Sequence, residues 1–164
     1  MWETAGGGPD NELVQMSFGQ IVNEVLTAAI ATVSEQGLWT FTAYVACRGN
    51  CFWFTSQEST RHVGEIRKVP TVALNIWRAP ESWGEKLVGL QLAGRAFEVR
   101  GAEDAEIGLA TLHDKFPGTL ETLPSVEAVT GEAKRTCMFR VECDAGTIRD
   151  EDSLGKGRFA IVWR

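Results

Sequence analysis

The sequence predicts a mainly β protein, a small antiparallel barrel of six to seven strands with helices only at its flanks. Three observations carry that expectation. β-branched and aromatic runs recur between turn signals, as in "AAIATVSEQGLWTFTAYVACRGNCFWF" at residues 28–54, where "EQG" and "RGN" fall at hairpin spacing. Helical periodicity is confined to short stretches between these runs. The apolar phase also changes in mid-strand near Gly94, the mark of a bulge that lets a sheet curl and close its own edges.

Taken in order, residues 1–12, "MWETAGGGPDNE", are Gly-rich and acidic and read as a mobile tail before a single domain over residues 13–164. Ser17 with Gln20 fits a capping box, and Phe18, Ile21, Val22, Val25 and Leu26 trace the stripe of an amphipathic helix. Residues 28–54 give three antiparallel strands. A short helix ends before Pro70, and "TVALNIW" at residues 71–77 alternates Val72, Leu74 and Ile76 on one face as a fourth strand. In the next strand the apolar positions move from Val88, Leu90 and Leu92 to Phe97 and Val99, so one extra residue at Gly94 is expected to swap the faces. Ala105, Leu109, Leu112 and Phe116 mark a helix stopped by Pro117 and Gly118, and a weaker helical stretch covers residues 122–133. "CMFRVEC" and "RFAIVWR" supply the last strands.

At 164 residues and 44% hydrophobic content the chain has material for one sizeable core. Sixteen Lys+Arg against 22 Asp+Glu give a net charge of -6, which opposes the counterion release that drives nucleic-acid binding, so no nucleic-acid partner is expected. No apolar run reaches the length of a membrane span, and no basic segment leads an apolar one at the N-terminus; a cytoplasmic location away from the membrane is the expectation. The four cysteines sit in apolar alternating segments and read as buried thiols. With two histidines in the chain, no metal ligands are assigned. No P-loop or nucleophile signature occurs, "RDED" at residues 149–152 reads as solvated charge, and His113 reads as exposed, so no catalytic residue is assigned.

The chemistry concentrates in "FTSQESTRHVGEI", residues 54–66. Ser59 or Thr60 is placed to cap a helix whose first N–H groups then point outward unpaired. With the hydroxyls of Thr55, Ser56, Ser59 and Thr60 and the guanidinium of Arg61, these donors suit a phosphate monoester. Simple capping, with Arg61 as a solvated charge, is the commoner use of such residues.

The order "IATVSEQGLWTFTAYVACRGNCFWFTSQESTRH", "IRKVPTVALNIW" and "LVGLQLAGRAFEV" resembles the FMN-binding split β-barrel family related to pyridoxamine 5'-phosphate oxidase. "TRH", "HDKFP" and "DSLGKGRFAIVWR" resemble its YhbP-like branch. The resemblance implies an FMN-binding-protein-like split barrel. Trp53, Phe54, Thr55 and Ser56 match the family's third-strand pattern, and Thr60, Arg61 and His62 match the Ser-Arg-Lys turn that holds the flavin phosphate. Adjacent strand residues face opposite sides, so at most one of Trp53 and Phe54 lines the flavin pocket and the other is core. Val69, Pro70, Val72, Ala73 and Leu74 match the following "NP-x-VAL". It further implies a homodimer with FMN in the groove between subunits, and an oxidoreductase acting on a small-molecule substrate with NAD(P)H as a candidate electron donor. Gln91 is a candidate for a ring-edge hydrogen bond or a dimer contact, and Trp163 and Arg164 match an aromatic and an Arg that the family brings near the flavin from the partner subunit.

Two departures stand out. His62 replaces the usual Lys, which leaves Arg61 as the main neutraliser of the phosphate and makes the site weaker as His62 loses its charge. No histidine occurs after Asp144, so the family's grip on the vitamin substrate is missing and synthesis of pyridoxal phosphate is not expected. Two other classes remain open: a non-enzymatic flavin or haem carrier or sensor, with His62 and His113 as the available axial ligands, and a flavin-free dimeric interaction module.

Overall fold

The computed structural model describes residues 1–132 and 134–164. Its elements are β1 (Trp2–Thr4), α1 (Asn11–Glu24), β2 (Thr27–Ser34), β3 (Gly37–Tyr44), β4 (Ala46–Arg48), β5 (Cys51–Gln57), α2 (Arg61–Lys68), β6 (Thr71–Arg78), β7 (Val88–Glu98), α3 (Ala102–Lys115), α4 (Thr119–Thr122), α5 (Val126–Thr130), β8 (Thr136–Asp150) and β9 (Phe159–Trp163).

All strand pairs are antiparallel, in the order β1-β9-β8-β7-β6-β2-β3, with β5 paired to β8 and to β4. β8 organises the sheet. One side runs along β7 over nearly its whole length; the other pairs first with β5, through residues 136–142, and then with β9, through residues 145–148. The sheet therefore curls from β3 round to β5. Those two strands touch without a hydrogen-bonded ladder, which leaves a seam in the barrel wall.

Alternation on β2, β6 and β7 sends Ile30, Val72, Leu74, Ile76, Leu90 and Leu92 inward, where Phe52, Phe54 and Phe139 meet them. α1 covers one end of this core through Val14, Phe18, Ile21 and Val22. A second core lies outside the barrel, where α3 and α5 bury Trp53, Met138 and Val99 with Leu109, Leu112 and Val129.

Several expectations need correction. Trp2–Thr4, read as part of a mobile tail, form β1; Trp2 is 1% exposed, stacks on Phe18 at 5.1 Å and meets Trp163 edge-on at 5.7 Å. Helix α1 starts at Asn11 with Asp10 as its cap, not at Ser17; Ser17 lies buried in the helix and donates to Oδ2 of Asp150 at 2.6 Å. The seven strands become nine among the described residues, because β1 and β4 are three residues each and too short to show a period. Residues 119–130 hold two single-turn helices, and Ala133, at the end of the helical stretch expected over 122–133, lies outside the described residues.

The register break at Gly94 is present, but the extra residue belongs to the other strand. Ala93 pairs with Ala145 and Gly94 with Cys143, so Asp144 of β8 is bulged out. β7 keeps its inward phase through Ala96, and Phe97 faces outward. The phase changes on β8 instead, from Cys137, Phe139, Val141 and Cys143 to Ile148 and Asp150.

Candidate functional site

The seam between β3 and β5 opens into a cleft of about 720 Å³. Phe41, Thr42, Ala43 and Tyr44 of β3 form one wall, and Thr55 and Ser56 of β5 with His62 of α2 form the back. Leu112 and Phe116 at the end of α3, then Thr119, Thr122 and Leu123, close the remaining side. Hydroxyls and aromatic rings both line the cleft, and no permanently charged side chain does so among the described residues.

The hydroxyl collar folds onto itself. Ser56 Oγ lies 2.6 Å from Nε2 of His62, Thr60 Oγ1 lies 3.1 Å from the same nitrogen, and the two hydroxyls are 3.2 Å apart. Thr60 also donates to the carbonyl of Gln57 at 2.9 Å, which shapes the turn into α2. Thr60 is the cap residue by position but makes no side-chain bond to the first turn of the helix. The His62 ring lies flat on Phe41, centroids 3.7 Å apart and 7° from parallel. Burial lowers the His62 pKa from its ordinary value, with Glu65 opposing, so the ring tends to the neutral form.

Arg61 does not turn toward the cleft. Its Nε donates to Oε1 of Glu65 at 2.8 Å, one helical turn on, and its guanidinium carbon stands 4.6 Å over the Trp39 ring. Glu65 is 6% exposed and also accepts from Thr32 and Ser34 of β2. The Thr32 hydrogen bond, then Arg61 and Ser34, hold its carboxyl down to about 2. The guanidinium charge is thus matched by a fixed carboxylate, and the expectation that Arg61 is the main neutraliser of a bound phosphate does not fit this arrangement.

The far wall is held by Lys115. Its ammonium donates to the carbonyls of Val22 at 2.6 Å, Val25 at 2.7 Å and Val45 at 2.9 Å, so all three N–H groups are used. These contacts tie the end of α1 and the β3–β4 junction to the end of α3, and so fix Phe116, which meets Tyr44 edge-on at 5.5 Å.

Of the residues singled out from the sequence, Thr55, Ser56 and His62 line the cleft, and Thr60 stands behind Ser56 and His62. Ser59 is exposed outside it. Trp53 and Phe54 are both core: Phe54 stacks on Phe139 at 5.2 Å inside the barrel, and Trp53 packs under α3 with Nε1 unpaired. Gln91 faces a separate shallow groove of about 700 Å³ floored by Ala29, Ala31, Ala73, Ala93 and Gly146. Trp163 packs against Trp2 and beside Gly49, at the opposite end of β5 from Ser56. Arg164 faces Glu3 there at 3.6 Å. His113, expected exposed, is half-buried with Nε2 3.0 Å from the carbonyl of Leu123. Cys47 and Cys51 are half-buried and, one residue out of register across the β4–β5 hairpin, face opposite sides; burial raises Cys47 and the fully buried Cys143 to about 12.

Sequence reading missed Phe41, Tyr44, Phe116, Thr119, Thr122 and Glu65. Thr119 and Thr122, just past the Pro117-Gly118 stop, carry no sequence pattern that singles them out; the return of the chain beside β3 brings them to the cleft.

No protein-family model matches the sequence, and no curated protein matches it. Solved structures do. HutZ, the heme storage protein of Vibrio cholerae, aligns over 87% of this chain and 98% of its own length, with a TM-score of 0.70 and 16% identity. The heme-binding protein of Mycobacterium smegmatis aligns over 90% of this chain and 56% of its own length, TM-score 0.69, 14% identity. The pyridoxamine 5'-phosphate oxidase-like protein of Listeria innocua aligns over 82% of this chain and 97% of its own, TM-score 0.59, 13% identity. The fold is a split β-barrel. At these identities the likeness carries the fold and no residue-level role. In the split barrel, the cleft described above lies at the split itself, between β3 and β5.

Proposed function

We propose that the split-barrel cleft binds FMN and that the chain works as an FMN-dependent oxidoreductase on a small molecule, as a homodimer. The observation that carries the reading is the pairing, in one cleft, of flat apolar faces with a collar of hydroxyls. The volume falls within the roughly 300–1,000 Å³ of small-molecule sites. Phe41 and Phe116 offer surfaces for the ring, while Thr55 and Ser56 offer donors for the phosphate end. The flavin, when bound, supplies the hydride or electron-pair chemistry. The chain's own part is to hold and orient it and to keep water from its ring, which fits a cleft without an acid–base pair. Thr119 and Thr122 on the far rim are placed to meet a substrate.

Titrating the purified chain with FMN tests this. The expected result is a yellow complex with quenched flavin fluorescence, bleached by NADH or NADPH, and weakened roughly tenfold by Ser56→Ala through loss of one hydrogen bond to a charged group. A chain that ignores saturating FMN ends the proposal. The mass in solution should be twice that of the chain.

A second reading, haem binding, draws support from the printed names of HutZ and the Mycobacterium smegmatis protein. Against it, Nε2 of His62 faces two hydroxyls and Nε2 of His113 faces a backbone carbonyl, so neither histidine presents its Nε2 to an axial position in this arrangement. A Soret band that survives His62→Ala and His113→Ala would show that haem is held by other means; a Soret band lost in either variant would favour haem over flavin.

A further inference from the structure

Charge recognition in this cleft has one available source. Among the described lining residues there is no Arg, Lys, Asp or Glu, and the titratable groups are His62 and the phenol of Tyr44, which carries no positive charge in either form. The charged neighbours on α2 look elsewhere: Arg61 is engaged by Glu65, and Glu65 is fixed by Thr32 and Ser34 of β2. On α3, Lys115 is enclosed by backbone carbonyls and His113 faces Leu123. Beyond the end of β5, Glu58 pairs with Arg67, and Arg135 is exposed outside the lining residues.

We propose that His62 is the specificity-determining residue of the cleft, and that capture of a phosphate monoester there is coupled to uptake of one proton by its ring. The proposal rests on the cofactor reading above only for the identity of the ligand. The local geometry supplies the device. With the ring neutral and Nε2 bare, the hydroxyl of Ser56 spends its hydrogen on Nε2. When a proton from solvent occupies Nε2, the direction reverses: the ring donates to Ser56, whose hydroxyl becomes free to donate to a phosphate oxygen, while Thr60 keeps its hydrogen on the carbonyl of Gln57. One protonation thus adds a positive charge and releases the Ser56 donor. The Phe41 stack keeps the ring in place through the change. Above the titration range the cleft keeps its affinity for a flat uncharged ligand and loses its preference for a phosphorylated one.

The test compares FMN with riboflavin, which share the ring and differ in the phosphate, at about pH 6.5 and pH 8.5, where the phosphate stays above its second pKa of about 6. The preference for FMN over riboflavin is expected to fall roughly tenfold or more across that interval in the native chain. It should hold steady in His62→Lys and be absent at both pH values in His62→Gln. A preference that does not move with pH in the native chain overturns the proposal. The His62 ring signal in NMR gives a reading without flavin: adding phenyl phosphate should raise its pKa by about one unit or more. If neither flavin binds while phenyl phosphate moves His62, the proton coupling stands and the cofactor reading falls. If both flavins bind and His62 stays put, the coupling falls and the cofactor reading stands.

Discussion

Gly108 of α3 lies so close to the indole of Trp53 that a Cβ on it would stand 2.5 Å from Cδ1 of the ring and 2.5 Å from Sδ of Met138. This approach seats α3 on the outer face of β5 and β8, and so sets where the end of α3 meets the cleft. Gly108→Ala gains helix propensity of about 1 kcal/mol but overpacks a site at a cost of about 1–3 kcal/mol. Because Trp53 is 4% exposed and has nowhere to go, overpacking should win. The expected outcome is a lower urea midpoint with an unchanged slope; an unchanged or raised midpoint would mean that the helix can lift without loss.

Trp2 joins the first strand to the main core through Phe18 and Trp163. Trp2→Ala should remove about 3–5 kcal/mol, the usual range for emptying a buried aromatic site. Equilibrium unfolding in urea measures it. A loss below about 1 kcal/mol, the level typical of surface changes, would show the strand to be dispensable.

Glu65 makes stability depend on acid. Its carboxyl is lowered from 4.5 to about 2 in the fold, chiefly by the Thr32 hydrogen bond, so the unfolded chain takes up the proton first as pH falls. The contribution is whole above 4.5 and is lost as the pH drops through that window to about 2. Glu98, held by Arg67 and Lys134 and likewise lowered to about 2, acts in the same direction. Urea midpoints should therefore fall between about pH 5 and pH 2.5. Glu65→Gln should flatten that fall in part, with Glu98 accounting for the rest; an unflattened profile would mean that Glu65 is not ionised in the fold.

The strands of the barrel were legible because alternation is written locally: Val72, Leu74 and Ile76, or Leu90 and Leu92, declare their face without reference to anything distant. What was illegible depends on partners far along the chain. Ser17 carries a capping-box pattern, yet its hydroxyl serves an aspartate 133 positions away. Trp2 is a strand residue only because β9 returns beside it. In the site, Ser56, Thr60 and His62 were found because a turn gathers neighbours in sequence. The aim of Arg61 was not, since it is set by a carboxylate that β2 fastens from outside the motif. Alternation allowed at most one of Trp53 and Phe54 to reach the site and made the other core; in the fold each enters a different core, because α3 covers the outer face that the sequence left open.

Asp144 acts on β8 as one inserted letter acts on a reading frame. Before it, the strand spells odd residues into the barrel and leans on β5; after it, even residues point inward and β9 takes over as neighbour. Were Asp144 drawn into the ladder as an ordinary pleat residue, with no bulge, Thr147 and Arg149 would turn toward the interior and Ile148 out to water. The continuity of the wall opposite the split is thus spelled by one exposed aspartate that packs against nothing in the core.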